Sequence, residues 1–423
     1  MPESEKTAGV SVSPRVLVLS SVFPNVQQPA FGVFIQERVR RVARRCGVTV
    51  VAPLPWFPFN RFIRGPKWSG IPRSELQAGL GGVRHPWFFC IPRYAKWLDG
   101  LLYAASLLPF LLRLRRRAPF DVIDAHFSYP DGVAAVLLGK VLRRPVLITL
   151  RGSIVRLAGY PLHRPQIRWA LRSADRVLAV SDSLKRTAMS LGIPEEHIRV
   201  IPNGVDTEHF FPMDRAEARA SLGLPADRTI LLSVGGLNEG KGHHRIVEMM
   251  PALLGRLPNL LYVIVGGEQR GSSYRPVLTR LVRELGLEQH VLVAGERGHA
   301  EVPRWLAASD LFCLATRSEG WANVLLEALA CGRPVVSTRV GGNAEIVTHP
   351  GLGILAPPGD DDAFREAILE ALARPWDPAA LAAHARRHSW EVAADQVMEE
   401  FRGLVPNSGG SDTGVAVARS AGG

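Results

Sequence analysis

The sequence predicts an α/β protein made of two doubly wound parallel-sheet domains that face each other across a cleft. Three observations predict it. Short apolar runs alternate with helical stretches in one series up to Val200 and in a second series beyond it. Between the series, Val200-Ile201-Pro202-Asn203-Gly204-Val205-Asp206 has the turn chemistry of a boundary. The chain is 423 residues long, past the size at which a single hydrophobic core stops growing.

In the first series, residues 15–20 form a buried strand by their continuous β-branched run, and residues 34–45 form a helix with its basic residues on the outer face. Further parallel strands fall at 48–52, 120–125, 145–150 and 176–180. The stretch 56–92, rich in Pro, Trp, Phe and Arg, has no clear period and reads as loop. The most apolar run, 101–112, ends in Arg113 to Arg117 and is too short for the ~20 residues that a bilayer requires. In the second series, strands fall at 229–235, 261–267, 291–295, 311–315 and 334–338, and a helix from Val324 is stopped by Gly332 and Pro334. An amphipathic helix closes the fold at 389–401. The polar start, 1–13, and the Gly/Ser-rich end, 406–423, read as disordered. The domains are therefore drawn at 14–205 and 206–385, with a final helical segment at 386–405.

Four cysteines, Cys46, Cys90, Cys313 and Cys331, lack CxxC spacing, and the start lacks the basic-then-apolar order of a leader. Both point to a reduced, cytoplasmic protein. Lys and Arg number 51 against 39 Asp and Glu, a formal charge of +12. That excess suits an anionic partner: a phosphorylated substrate, an acidic membrane face or nucleic acid. Nucleic acid is disfavoured, because no recognised module is present and the basic residues are dispersed. The clusters Arg38 to Arg45 and Arg113 to Arg117 read as solvated helix faces.

The chemistry centres on Ser318-Glu319-Gly320-Trp321-Ala322-Asn323-Val324-Leu325-Leu326-Glu327. Glu319 lies in the loop at a strand's carboxyl end, and Glu327 lies one turn into the next helix, up to ~12 Å away along its axis. The amides of Gly320, Trp321, Ala322, Asn323 and Val324 lie between, at a helix start that favours negative charge. The implied ligand has a phosphate centre and hydroxylated ends. Gly235 and Gly236 end another strand and lead to Lys241, a mobile ammonium for phosphate oxygens, in a loop without the Walker order. In the first domain Gly32 permits close approach of a donor between strand and helix. His126, at a strand's carboxyl end, could donate to a sugar hydroxyl or position a leaving group. Asp360-Asp361-Asp362 reads as a helix cap and its first turn rather than a metal site.

Together these segments resemble the retaining glycosyltransferases of family 4, which have the two-Rossmann-domain architecture called GT-B. The resemblance runs from Val16 to Phe401 and rests on the Glu319–Glu327 pair, the Lys241 loop, 200–206, 331–336 and 340–347. It implies an N-terminal acceptor-binding domain, a C-terminal nucleotide-sugar-binding domain and a last helix that packs back on the first. It implies that Lys241 neutralises the donor diphosphate, Glu327 binds the ribose, and Glu319 contacts the donor sugar with the 320–324 amides beside it. Glu319, Lys241 and His126 stand as the catalytic set, with Gly32, Gly235 and Gly236 completing the donor site. No cofactor and no metal are expected. Two departures stand out: Gly236 replaces an arginine common in the family, and Arg151 replaces a common histidine. Arg151 or Arg317 is then the candidate second phosphate cation. The resemblance implies transfer of a hexose from a nucleotide diphosphate sugar to a glycan or lipid-linked acceptor in cell-surface polysaccharide or glycolipid synthesis. An epimerase or hydrolase of sugar nucleotides is the alternative, and a basic nucleic-acid-binding protein a weaker one. Residues 101–117 and 56–97 offer an anionic membrane surface a peripheral contact on the cytoplasmic side.

Overall fold

The computed structural model describes residues 13–58, 70–92, 94–268 and 273–405. The terminal segments read as disordered, 1–13 and 406–423, lie outside these apart from Ser13.

The first domain holds β1 (Arg15–Leu19), β2 (Gly47–Val51), β3 (Leu54–Trp56), β4 (Ser74–Gln77), β5 (Gly81–Arg84), β6 (Trp87–Phe89), β7 (Val122–His126), β8 (Val146–Leu150), β9 (Arg176–Ala179) and β10 (Ile198–Val200). Eight of them form one sheet in the order β10-β9-β8-β7-β1-β2-β5-β4, parallel except for the edge strand β4. Its helices are α1 (Val33–Ala43), α2 (Asp99–Arg117), α3 (Val133–Leu142), α4 (Ser153–Leu157), α5 (Arg164–Ser173) and α6 (Asp182–Ser190). They cover both faces of the sheet, so every residue of β7 and β8 is buried. That double cover explains why these strands read as unbroken apolar runs rather than alternating ones.

The second domain has a six-stranded parallel sheet: β11 (Thr229–Val234), β12 (Leu260–Val265), β13 (Val291–Gly295), β14 (Leu311–Leu314), β15 (Val335–Thr338) and β16 (Gly353–Ala356). Their order is β13-β12-β11-β14-β15-β16. Sequence order reverses between β11 and β14, as it does between β1 and β7 in the first sheet. At such a switch point the connections leave on opposite faces and open a crevice at the strands' carboxyl ends.

Around this sheet lie α7 (Arg215–Leu222), α8 (His243–Leu254), α9 (Arg275–Glu284), α10 (Val302–Ala308), α11 (Asn323–Ala330), α12 (Asn343–Ile346), α13 (Asp361–Ala373) and α14 (Pro378–Arg386). The last helix, α15 (Trp390–Leu404), is capped by the Ser389 hydroxyl, which accepts from the Val392 N–H. It packs on α1, burying Trp390, Val397 and Phe401 among Val16, Ile35 and Val39. Each such side chain contributes roughly 1.5–3 kcal/mol. Asp360 accepts from the Ala363 N–H at 2.8 Å, the capping role read for it.

Three sequence readings are corrected. The stretch 56–92 carries short strands, with β3 and β6 pairing in parallel and β4 and β5 antiparallel; at three or four residues each, no period survives to be read. Part of that stretch, 59–69, lies outside the described residues. The run 101–112 belongs to a longer helix: residues 96–117 are long and apolar enough to cross a membrane by length and composition, and 39% of the most apolar window is buried. Its charged ends continue the helix, which a count of apolar residues omits. Finally, α1 does not present all its basic residues to solvent. Arg38 and Arg41 are 3% and 5% exposed. Acids meet them: Asp124, from a distant segment, lies 2.8 Å from Arg38, and Arg41 is surrounded by Asp206 and Glu391 from distant segments and by Glu37 of the same helix. The exposed Arg113, Arg116 and Arg117 do form a solvated face.

Candidate active site

The carboxyl ends of the neighbouring strands β11 and β14 feed the two loops that the sequence singles out. Gly242 joins them closely: its φ is 72°, and a Cβ there would sit 2.1 Å from the Ala315 carbonyl oxygen. Only glycine meets both demands. The Arg317 N–H donates to the Gly240 carbonyl at 2.9 Å. Across this junction Lys241 Nζ donates to Glu319 Oε1 at 2.6 Å. The Thr316 hydroxyl lies 3.0 Å from the same carboxylate oxygen and from the Gly240 carbonyl. With side chains 27% and 11% exposed, the lysine and glutamate remain within reach of a ligand. The Lys241 stem runs along Gly235, whose N–H donates to the Val265 carbonyl. Gly236 follows in the same turn, half-buried.

Next along the chain, Gly320 backs directly onto Gly152 of the first domain, where a Cβ would come within 2.8 Å of the Gly152 backbone. Helix α11 then starts with no side-chain cap and no acid in its first turn. Its leading N–H groups are thus left for water or an anion. Trp321 and Ala322 are buried by their side chains, so what they offer a ligand is backbone. Asn323 accepts from Asn203 of the interdomain segment at 3.0 Å.

One turn on, Glu327 opens on a cavity of about 240 Å³ between the domains, lined by Phe34 and Glu37 of α1 and by Arg297, His299 and Asn323. Burial pushes the Glu327 carboxyl up to about 7, and the negative charge of Glu37 adds to the rise. His299 Nε2 stands 4.0 Å from it.

The first domain's switch point is organised differently. Gly32 sits there in the left-handed region just before α1, with φ 84°. Behind it, Arg38 donates to both oxygens of Asp124 and to the Thr149 hydroxyl. Burial opposes the Asp124 charge, but Arg38 holds the carboxyl well below the usual range. His126 is fully buried, and burial together with the Arg38 charge brings it down to about 3, so it is neutral. Its Nδ1 accepts from Arg151 Nη2 at 3.1 Å, and its Nε2 faces Asp124 Oδ2 at 3.4 Å. Placed so, His126 ties Arg151 to Asp124 in the interior of the first domain. Arg151, 3% exposed, donates to Asn203 at 2.5 Å and lies over the Phe34 ring. It is held in the interior rather than beside the Lys241 loop. Arg317 is 81% exposed and stands 3.6 Å from Glu239, on the solvent side of that loop. In this arrangement Arg151 is engaged by His126 and Asn203, and Arg317 by Glu239.

Sequence reasoning missed three acids, two between the domains and one in the interior of the first. Glu37 enters the Glu327 cavity from α1. Glu345, in the second domain, accepts the Asp182 and Ser183 N–H groups at 2.7 and 3.1 Å, capping α6 of the first domain. Asp131 accepts from the Ser21 hydroxyl at 2.8 Å and the Tyr103 hydroxyl at 3.2 Å, and burial pushes it up to about 7. The only sequence signal for Asp131 is an isolated acid in an apolar region; for Glu345 it is membership of the 340–347 segment.

Residues 214–388 match the family model for glycosyl transferases group 1, and residues 31–209 match that for glycosyltransferase family 4. A D-inositol 3-phosphate glycosyltransferase of Saccharomonospora viridis is 33% identical over 440 residues, covering 95% of this chain and 97% of that protein. The chain belongs to glycosyltransferase family 4. A second relative of this glycosyltransferase is a GDP-mannose-dependent α-(1-6)-phosphatidylinositol monomannoside mannosyltransferase of Mycolicibacterium smegmatis. It is 30% identical over 335 residues, 75% of this chain and 82% of that protein. Among solved structures, Anabaena HepE in complex with UDP superposes with a TM-score of 0.71 at 22% identity, over 92% of this chain and 100% of that one. The family 4 enzyme thus has the GT-B fold.

Proposed function

We propose that this glycosyltransferase moves a hexose, with retention of configuration, from a nucleoside diphosphate sugar to a hydroxyl of a glycan or lipid-linked acceptor, in cell-surface polysaccharide or glycolipid synthesis. The observation that carries the proposal is the Lys241–Glu319 contact at the second switch point, set beside the uncapped start of α11. As the bond from sugar to phosphate breaks, negative charge gathers on the departing diphosphate. The Lys241 ammonium and the α11 N–H groups stabilise that charge more in the transition state than in the bound donor. The diphosphate takes the ammonium from Glu319, whose carboxylate is then free to accept from a sugar hydroxyl. Glu327, across the 320–324 backbone, accepts from the ribose. The acceptor hydroxyl attacks from the face that the diphosphate leaves, and its proton passes to the departing phosphate oxygen. Support for the donor class comes from HepE, solved with UDP. Support for a lipid-linked acceptor comes from the phosphatidylinositol monomannoside named for the mycobacterial relative.

The test is incubation of the folded protein with UDP-, GDP- and ADP-sugars, with and without acceptor. Nucleotide release and sugar transfer with one of them are expected. Release of free sugar or epimer without any transfer, or no reaction with the whole panel, overturns the reading.

A further inference from the structure

One face of the first domain carries basic and apolar side chains together and almost no acid. Residues 132–174 contain one Lys, seven Arg and no Asp or Glu, and residues 100–120 contain four Arg and no acid. The fold sets these runs side by side, since α2 packs on α3 and α3 on α5. Lys140 of α3 lies 5.0 Å over the Trp169 ring of α5. Gln166 of α5 donates to the Trp97 carbonyl, just ahead of α2, at 2.9 Å.

On α5, Arg164, Arg168 and Arg172 recur every fourth residue and so share one side of the helix. All three are exposed and form no ion pair among the described residues. With Pro161, Pro165 and Trp169 they line an open groove of about 380 Å³. The second domain behaves otherwise: there Arg280, Arg365 and Arg374 each have a helical acid partner, Glu284, Asp362 and Glu370. Large apolar side chains also stand out among the arginines: Leu101 is 54% exposed, Leu162 57%, Tyr160 45% and Trp97 40%.

We propose that this face docks the protein on an anionic lipid bilayer. Arg164, Arg168 and Arg172 meet headgroup phosphates, while Trp97, Leu101, Leu162 and Trp169 enter the boundary between headgroups and acyl chains. A soluble polyanion would use the arginines alone; a bilayer surface uses both sets at once, because its charged layer lies directly over an apolar one. The site extends the surface expected at 56–97 and 101–117 to α5, which follows α4 in the chain. Helix α4 exposes Val155 and Arg156, and Gly152 before it touches Gly320 next to Glu319. The docking stands apart from the transfer reaction, since binding to lipid needs neither donor nor acceptor.

Flotation of the full chain with vesicles of phosphatidylglycerol and phosphatidylcholine, against phosphatidylcholine alone, tests the docking. The wild type is expected to float only with the anionic vesicles at low salt, with a blue shift of its tryptophan emission. Each basic side chain at an anionic surface contributes about fivefold to partitioning, so the R164Q/R168Q/R172Q variant loses on the order of a hundredfold. A melting temperature equal to that of the wild type shows that this variant is folded. W97S and W169S weaken vesicle binding but leave binding to soluble dextran sulfate unchanged. No flotation of the wild type, or flotation of the triple variant as strong as wild type, overturns the proposal. So does vesicle binding that the tryptophan variants leave intact, which would mark a site for soluble polyanions.

Discussion

At the first domain's switch point, Arg38, Asp124, His126 and Arg151 are each no more than 3% exposed. At the second, the Lys241 side chain is 27% exposed and that of Glu327 18%. Both crevices arise from the same reversal of strand order, and both hold cations beside carboxylates. They differ in what satisfies the charges. In the first, Arg38 closes on Asp124, and Arg151 on His126 and Asn203, so the charges join β7, β8, α1 and the interdomain segment. In the second, one lysine and one glutamate hold each other in a place that a ligand can enter, and a helix start goes uncapped. Residue type alone therefore does not separate a structural charge from a chemical one; enclosure does.

The sharpest way to break this contrast is to remove one charge from each side and compare stability. Arg38→Ala leaves Asp124 buried without its partner and is expected to lower the unfolding free energy by about 3–5 kcal/mol in urea. Lys241→Ala removes a partly solvated pair and is expected to change it by less than about 1 kcal/mol. Similar losses in the two variants would erase the distinction.

Activity should depend strongly on the open pair that stability barely feels. Lys241→Ala is expected to reduce kcat by about a hundredfold or more while its circular dichroism stays unchanged. Glu319→Ala is expected to lower kcat more than it raises KM, as a contact to the reacting sugar should.

Glu327 offers a pH test. Its folded carboxyl sits near 7, above its ordinary 4.5, so folding favours the protonated form. That contribution is fully present below about 4.5 and is lost as pH rises through 7. Glu327→Gln should therefore melt with the wild type at pH 4 and be more stable by about 3 kcal/mol at pH 8, yet bind nucleotide more weakly. Parallel melting curves at both pH values would contradict the assigned burial. The smallest effect is reserved for Arg317→Ala: an exposed arginine facing a solvated glutamate should alter kcat/KM by no more than about twofold.

Much of this was legible in the sequence where a physical rule acts locally. Strands β7 and β8 showed themselves because helices on both faces demand apolar residues at every position. Lys241 and Glu319 showed themselves because a glycine loop and a strand-to-helix turn are short-range patterns. Legibility failed where partners are distant in the chain. Nothing near Arg38 announces that Asp124, 86 residues on, will enclose it, so the helix was read as a solvated basic face. His126 is alike, since its position at a strand end is visible in the sequence and the arginines around its ring are not. Strands β4, β5 and β16 are too short to show a period. Glu37 faces Glu327 only once two domains close on each other.

The most direct measurement is calorimetric titration of the nucleoside diphosphate selected by the donor panel into wild type, Lys241→Ala and Arg151→Gln, each verified as folded. If enclosure assigns the roles, Kd rises by about tenfold or more in Lys241→Ala, the loss of a charge-assisted phosphate contact, and stays within about twofold in Arg151→Gln. Unchanged affinity in Lys241→Ala, or a larger loss in Arg151→Gln, would contradict it.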